Sequence, residues 1–465
     1  MAMIAQGKPK LKSISQREYR PKRAGKEKNL VNKIIEKFQK FIPLINDTQI
    51  FENYKKILNQ LITFDSVSGK QFLNHIQENF KKSELDELQL DGDSFLKIFK
   101  DILESFTIRL NSSDIKILET IHLNPLISLE GICSTTNLSW GTVQKRYNQL
   151  VRGKVYEVVA VPNYEKLELV PMIVITMDNA REIHSKYLTS FQKNNEWNNT
   201  TRLWEMLLPK SKIKEGEKII VRHIQNPQIF EKTFVTNSIN FYYYDSINRS
   251  WNINWPHWEL QLEKQEKISP LIKENESTHQ KRKIKKIDLK ILSHLTENLR
   301  REQRDIAKTL NTSESKVSLC KKNLHCKKYF TSIVQLTERA GLTENLLIIL
   351  KENFQEIPAA LLKLPQITIH ELNDNNKKTK QTIIQTKLPP GSKSRIKKVL
   401  KRKYQNVQFS NYIIQTKSFP ESITEMFDEK NQKWMWNPLT LKIYEKFIKT
   451  PEHRNYIGHL QKIEA

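Results

Sequence analysis

The stretch Ser113–Gly153, SDIKILETIHLNPLISLEGICSTTNLSWGTVQKRYNQLVRG, decides how the chain is read. Ser113 and Asp114 offer an N-cap to a helix that buries Ile117, Leu118 and Ile121, and Pro125 stops it. Ser128 caps a second helix with Leu129, Ile132 and Cys133 inward. Asn137 and Leu138 make a turn. Ser139 caps a third helix whose inner face carries Val143, Tyr147 and Leu150. This is helix-turn-helix spacing, in which the last helix projects its first turns toward a DNA major groove.

The same pattern occurs twice. A constant shift of 174 positions lays Asp114, Lys116, Ile117 and Leu118 on Asp288, Lys290, Ile291 and Leu292. Without a gap, Asn124, Ile132, Thr135, Asn137, Ser139, Val143 and Leu150 then meet Asn298, Ile306, Thr309, Asn311, Ser313, Val317 and Leu324. A period this long implies a duplicated domain rather than a solenoid.

On the first recognition helix the expected DNA-facing residues are Ser139, Trp140, Thr142, Gln144, Lys145, Arg146, Asn148 and Arg152. Gln and Asn suit adenine edges, Lys suits guanine, and a Thr methyl suits thymine. Arg146 and Arg152 suit phosphates. The second helix offers Lys316, Ser318, Lys321 and Lys322, beside an outward Glu314 and Leu319. Either the two heads read different half-sites, or the second is a phosphate clamp or packing module.

Each triple of helices is followed by a short wing-like connector (Val155 to Val161; Tyr329 to Leu336) and then β-rich sequence. In the second copy, strands are expected at Leu346 to Leu350, Ile367 to His370, Thr382 to Lys387 and Phe409 to Gln415. Helices are expected at Ile357 to Leu364 and Ser392 to Tyr404, giving the βαββαβ order of a ferredoxin-like unit. In the first copy, Met172 to Met177 reads as the opening strand and Ala180 to Phe191 as the first helix. A shift of 180 then pairs Leu208, Pro209, Lys218 and Arg222 with Leu388, Pro389, Lys398 and Arg402. Both copies close on one tail: Asp245, Asn248 and Trp251 against Asp428, Asn431 and Trp434. These tryptophans either stack on a ligand or plug a domain edge.

The expected fold class is therefore α+β: two tandem copies of a winged helix-turn-helix plus a ferredoxin-like domain, behind a small helical bundle and a disordered basic arm. The boundaries read as arm 1–29, bundle 30–107, heads 111–161 and 285–336, and ferredoxin-like units 162–260 and 337–440. A linker at 261–284 and a helical tail at 441–465 complete the chain. The arm holds Lys8, Lys10, Lys12, Arg17, Arg20, Lys22, Arg23, Lys26 and Lys28, and either tracks phosphates or solubilises the chain.

At 465 residues the length allows about three domains. A net charge of +26 and a pI near 9.6 favour a polyanionic partner. The enrichment in Lys, Asn and Ile has an alternative source in the coding bias of an AT-rich genome. Three cysteines without a framework imply a reducing compartment, and Cys320, His325 and Cys326 fall short of a zinc ligand set. No cofactor, metal or catalytic residue is expected. No apolar run suggests a leader or a membrane span, so a cytoplasmic, nucleoid-associated protein is expected.

A helix-turn-helix followed by a connector and a βαββαβ unit resembles the Lrp/AsnC ("feast/famine") regulators of bacteria and archaea, and an archaeal source is expected. Ser139, Thr142, Val143, Arg146 and Leu150 resemble the family's recognition helix, and Asp288, Lys290, Ile291 and Leu292 its opening helix. The resemblance implies double-stranded DNA as partner, a transcription regulator, and dimerisation through the ferredoxin-like unit. Two copies in one chain imply a monomeric pseudo-dimer or a homodimer. The family's glycine-rich effector loop has no evident counterpart, so any small-molecule effector is unknown.

Two other functions fit the same residues. Siroheme decarboxylases use this two-part fold and need buried His or Arg in the ferredoxin-like cleft. Here His223, His257 and His370 are scattered and none recurs between copies. An architectural protein binding nucleic acid without regard to sequence is the other, although the strands lack the base-stacking aromatic signature of RNA readers.

Overall fold

The computed structural model describes residues 107–176, 181–194, 201–263, 283–351, 357–374, 379–404, 407–410, 419–436 and 441–445. The expected arm, nearly all of the expected bundle, most of the linker and residues 446–465 lie outside them, as does the strand expected beyond residue 410.

The first head comprises α1 (Ser112–Leu123), α2 (Leu129–Thr136) and α3 (Trp140–Arg152). Ser113 and Asp114 do not cap α1. Asn111 does: its Oδ1 accepts the Asp114 N–H at 2.9 Å, and the Asp114 carboxylate accepts the Asn111 N–H at 2.9 Å. A capping box needs its acid three residues after the cap, which places Asp114 inside the helix. Ser128 and Ser139 cap α2 and α3 as their spacing predicts. Between them Asn137 adopts a left-handed φ of 56°, a conformation Asn tolerates better than most residues. Ile117, Leu118, Ile121, Ile132 and Val143 are fully buried among these helices.

After α3 the chain runs through β1 (Tyr156–Pro162), β2 (Leu169–Thr176), β3 (Arg181–Ser185), β4 (Leu188–Asn194) and β5 (Thr201–Pro209). Then come α4 (Ile213–His223), β6 (Gln228–Ile239), the two-residue strands β7 (Tyr244–Asp245) and β8 (Ser250–Trp251), and α5 (Trp255–Glu263). The helix expected over Ala180 to Phe191 is absent; β3, a tight turn and β4 occupy its place. That segment holds Ile183, Tyr187, Thr189 and Phe191, which favour extended backbone. Both strands also find pairing partners, residues 441–445 for β3 and β5 for β4. Ser185 accepts the Tyr187 N–H at 3.0 Å to close the turn, and the Tyr187 hydroxyl donates to the Met435 carbonyl.

The second head comprises α6 (Lys286–Glu297), α7 (Gln303–Thr309) and α8 (Glu314–Cys326), followed by β9 (Phe330–Leu336). Next are β10 (Glu344–Leu350), α9 (Ala359–Leu362), β11 (Gln366–Asp374), β12 (Thr379–Leu388), α10 (Ser392–Lys403) and β13 (Gln408–Ser410). This is the βαββαβ order the sequence predicts, with a shorter first helix. The chain closes with α11 (Glu421–Glu425), β14 (Phe427–Asp428), β15 (Lys433–Trp434) and β16 (Leu441–Glu445). Residues 441–445 are thus a strand rather than the start of a helical tail. They pair antiparallel with β3, whose backbone edge otherwise lacks a partner.

One eight-stranded antiparallel sheet unites the two halves in the order β13-β10-β12-β11-β6-β2-β5-β4. Both halves carry their strands in the same sequence of fourth, first, third and second. The junction pairs β11 with β6, with a bulge at Ile369/His370. Ile173, Ile175, Leu203 and Phe230 of one half pack with Leu347, Ile349, Leu372 and Ile383 of the other in a small shared core.

The expected wings are not separate. β1 and β9 pair with each other over seven residues, from Tyr156↔Leu336 to Pro162↔Phe330. The central pair is Val159↔Ile333, two positions 174 apart, so an approximate two-fold passes through it. A lone strand cannot satisfy its own backbone groups, and two equivalent strands about a two-fold satisfy each other.

Further contacts cross between halves. The Trp251 indole N–H donates to the Ala340 carbonyl at 2.7 Å, and that of Trp434 to the Leu167 carbonyl at 2.6 Å. The tail tryptophans therefore plug domain edges, each in the opposite half. Arg300 of the second head donates to the Tyr156 hydroxyl at 2.8 Å, to the Tyr147 hydroxyl, and to the Pro125 carbonyl at 3.0 Å. Its guanidinium lies 5.4 Å from both tyrosine ring centres. Replacing Arg300 by Ala should destabilise the protein by about 2 kcal/mol, since three acceptors are deprived of a charged donor. Urea unfolding of the variant measures this; an unchanged midpoint would show that the clamp is dispensable.

Candidate nucleic-acid interface

The outward side of α3 is set by what its inner side buries. Val143 and Leu150 point into the head, and Trp140, Gln144, Lys145, Asn148 and Arg152 are consequently exposed. Ser139 is committed to capping: its Oγ accepts the Thr142 N–H at 3.3 Å and meets the Thr142 hydroxyl at 2.9 Å. Thr142 is half-buried against it. The face left for a base edge is thus Trp140, Gln144, Lys145 and Asn148, with Arg152 at the far end.

Arg146 faces elsewhere than the sequence suggests. Its Nε donates to Asp114 Oδ1 at 2.7 Å, its Nη2 donates to Asp114 Oδ2, and its Nη1 donates to Gln149 Oε1 at 2.8 Å. The Asp114 side chain is 2% exposed and that of Arg146 24%. A bidentate fork on a buried carboxylate holds α3 to α1 and occupies the donors that a phosphate would need. The sequence holds the signal as one acid and one base on facing helices, but nothing local joins residues so far apart.

The second head keeps the acid and loses the base. Cys320 stands at the position equivalent to Arg146, facing Asp288. Burial, then the hydrogen bond and charge of Asp288, push its thiol up to about 12. Lys321 is also turned inward: its Nζ donates to the Leu299 carbonyl at 2.6 Å. Burial and the nearby Arg300 lower its pKa. Pro125 and Leu299 are equivalent positions, so each head has a cation on the carbonyl that follows its opening helix. Lys316, Ser318 and Lys322 remain exposed. A shallow groove on this face is lined by Gln303, Glu314, Ser315, Ser318, Leu319 and Lys322.

The three histidines weighed for catalysis lie on α4 (His223), α5 (His257) and β11 (His370). His370 is buried beside Phe234, and burial holds its pKa well below the usual histidine value. Among the described residues no group of three His, Cys, Asp or Glu could hold a metal ion. Among them, too, no helix is long and apolar enough to cross a membrane.

A family model described as winged helix-turn-helix DNA-binding matches residues 110–153, the span of α1 to α3. Among solved structures, the chain is similar to the siroheme decarboxylase NirDL at 11% identity and a TM-score of 0.39. That match covers 69% of this chain and 98% of that one. The same enzyme in complex with an iron-uroporphyrin III analogue gives 10% identity, 68% and 97% coverage, and a TM-score of 0.37. PH0061 matches 27% of this chain and 93% of its own length, at 18% identity and a TM-score of 0.19. No curated protein matches.

The first head is a winged helix-turn-helix of the DNA-binding kind, and DNA binding is the function it suggests. Replacing Arg146 by Ala should cost about 3 kcal/mol, because a buried carboxylate is left without its partner. Replacing Arg146 by Met and Asp114 by Asn together should cost less, and chemical denaturation of both variants checks the difference. At pH 8 a maleimide should label exposed Cys326 and spare Cys320 until the protein unfolds, which peptide mass spectrometry reads directly.

Proposed function

We propose that the protein is a sequence-specific double-stranded-DNA-binding transcription regulator whose two heads read two half-sites from one chain. The observation that carries this reading is the helix-turn-helix match over residues 110–153, whose third helix exposes Gln144, Lys145 and Asn148. Gln and Asn can bridge adenine edges, and Lys can reach a guanine.

The second head supports a paired reading. Its helices α6, α7 and α8 repeat the order and spacing of α1, α2 and α3, and the β1–β9 two-fold joins the heads. We regard the chain as a duplicated Lrp/AsnC-type unit fused into a pseudo-dimer, acting on the nucleoid and without enzymatic activity. Half-sites related by such an axis fall about one helical turn, roughly 34 Å, apart or at multiples of it. Tethering makes engagement of the second head intramolecular.

The reading faces differ, so the half-sites should differ. Trp140, Gln144, Lys145 and Asn148 correspond to Glu314, Ser318, Leu319 and Lys322. Selection of genomic fragments by the purified protein at about 0.15 M salt should enrich a motif of two unequal halves. Changing Gln144 and Lys145 to Ala should erase one half and weaken binding by about 1–3 kcal/mol for each base that is no longer read. Uniform recovery of all fragments would overturn this reading.

A further inference from the structure

Helix α10 carries Lys393, Arg395, Lys397, Lys398, Lys401, Arg402 and Lys403 within twelve residues and no acid. Its counterpart in the first half, α4, carries Lys214, Lys218 and Arg222 against Glu215 and Glu217. Under the shift of 180, Glu215 becomes Arg395, Glu217 becomes Lys397, Val221 becomes Lys401 and His223 becomes Lys403. A coding bias toward lysine acts equally on both helices of one gene. It does not explain two reversals of charge confined to one of them.

The helix presents these cations from a fixed seat. Ile396, Val399 and Leu400 are buried beneath it. Its N-terminus is occupied by Glu344, whose carboxylate accepts the Gly391 N–H at 3.0 Å and the Lys393 N–H at 2.8 Å. Glu259 on α5 holds Arg395 at 3.4 Å and Arg402 at 3.5 Å, and Arg395 lies over the Trp255 ring at 5.4 Å. Lys403 donates to the Leu262 carbonyl. Lys398 and Lys401 stay exposed one turn apart, with Arg402 beside them 63% exposed. Three or four residues of helix advance about 4.5–6 Å, a spacing suited to successive phosphates.

We infer that the outer face of α10, centred on Lys398, Lys401 and Arg402, is a second DNA contact that binds the phosphate backbone of a duplex without reading its sequence. A bilayer surface fits less well. A membrane-lying helix needs its apolar side for the lipid, and here that side is buried in the protein core. Backbone contact by cations alone gives salt-sensitive, sequence-independent affinity.

The test uses the full chain in three forms: native, Lys398→Ala with Lys401→Ala, and Gln144→Ala with Lys145→Ala. Both lysines are exposed, so the variant is expected to fold, and a thermal melt verifies this. A fourth form, Lys214→Ala with Lys218→Ala on α4, removes the same two charges from exposed positions and is the control. Binding to a random-sequence duplex is measured from 50 to 300 mM salt. The lysine pair should make the log–log salt slope shallower by about 1.8, two phosphates at roughly 0.9 each. The motif selected by the heads should not change, and the control should match the native chain. The Gln144/Lys145 variant, which loses one DNA-facing cation, should change the slope on random duplex by at most about 0.9.

An unchanged slope in the lysine pair overturns the proposal while leaving the heads' reading intact. Loss of motif selection with a slope that still depends on Lys398 and Lys401 sinks the heads' reading and upholds this one. Equal slope changes in the lysine pair and the α4 control would reduce the effect to net charge and overturn it. Salt-sensitive binding to phosphatidylglycerol vesicles that requires these lysines, with no effect on DNA, would assign the face to a membrane instead.

Discussion

The antiparallel pairing of β1 with β9 is the constraint on which the rest depends. Each head ends in a strand that has no partner within its own copy, and its backbone groups must be satisfied somewhere. Pairing with the equivalent strand does this and also sets the relation between the heads, because two identical directions can pair antiparallel only about a two-fold. Arg300, Trp251 and Trp434 then fasten the arrangement from outside the ladder. The exchange of the two tryptophans across the halves follows from the axis, whereas Arg300 acts from one side only, its equivalent position being Leu126.

Within that frame the two helical triples differ mainly on their outward faces and at one buried ion pair. The first spends Arg146 on a buried acid and leaves neutral hydrogen-bonding groups and one lysine on its outer face. The second keeps the acid, fills the arginine's place with a neutral thiol, and brings Lys321 onto a backbone carbonyl. Opposite the core, its outer face mixes an acid, hydroxyls, a leucine and lysines. The buried scaffold and the outward face of each helical triple therefore vary independently.

The helices of the first head are legible in the sequence because each has a local side-chain cap and an apolar face at helical period. Those of the second follow from the 174-residue repeat, although α6 and α7 lack a side-chain cap bond. Legible too are the strands of the second ferredoxin-like unit, whose apolar runs are short and bounded. The segment over Ala180 to Phe191 misleads because analogy with the other copy suggests a helix there. Its Ile183, Tyr187 and Phe191 also fall at i, i+4 and i+8, a helical period, and the strand is decided by pairing with β16 from more than two hundred residues away. The site shows the same division. Exposure of Gln144, Lys145 and Asn148 follows from helix period alone. The inward turn of Arg146 and Lys321 depends on Asp114 and on the Leu299 carbonyl, partners set by tertiary packing that no local pattern reveals.

The ladder also has a cost in time. β1 is complete at Pro162, but its first partner, Phe330, is made only about 170 residues later. At roughly 5–20 residues per second of synthesis, that delay is on the order of ten to thirty seconds. Throughout it, a nascent chain displays an open strand edge flanked by Val158, Val159 and Val161, the kind of template that captures neighbouring chains. Polysomes crowd such chains together, so strand exchange between two copies competes with closure within one. Production of this protein should depend on chaperone supply and on translation speed more than its final stability suggests.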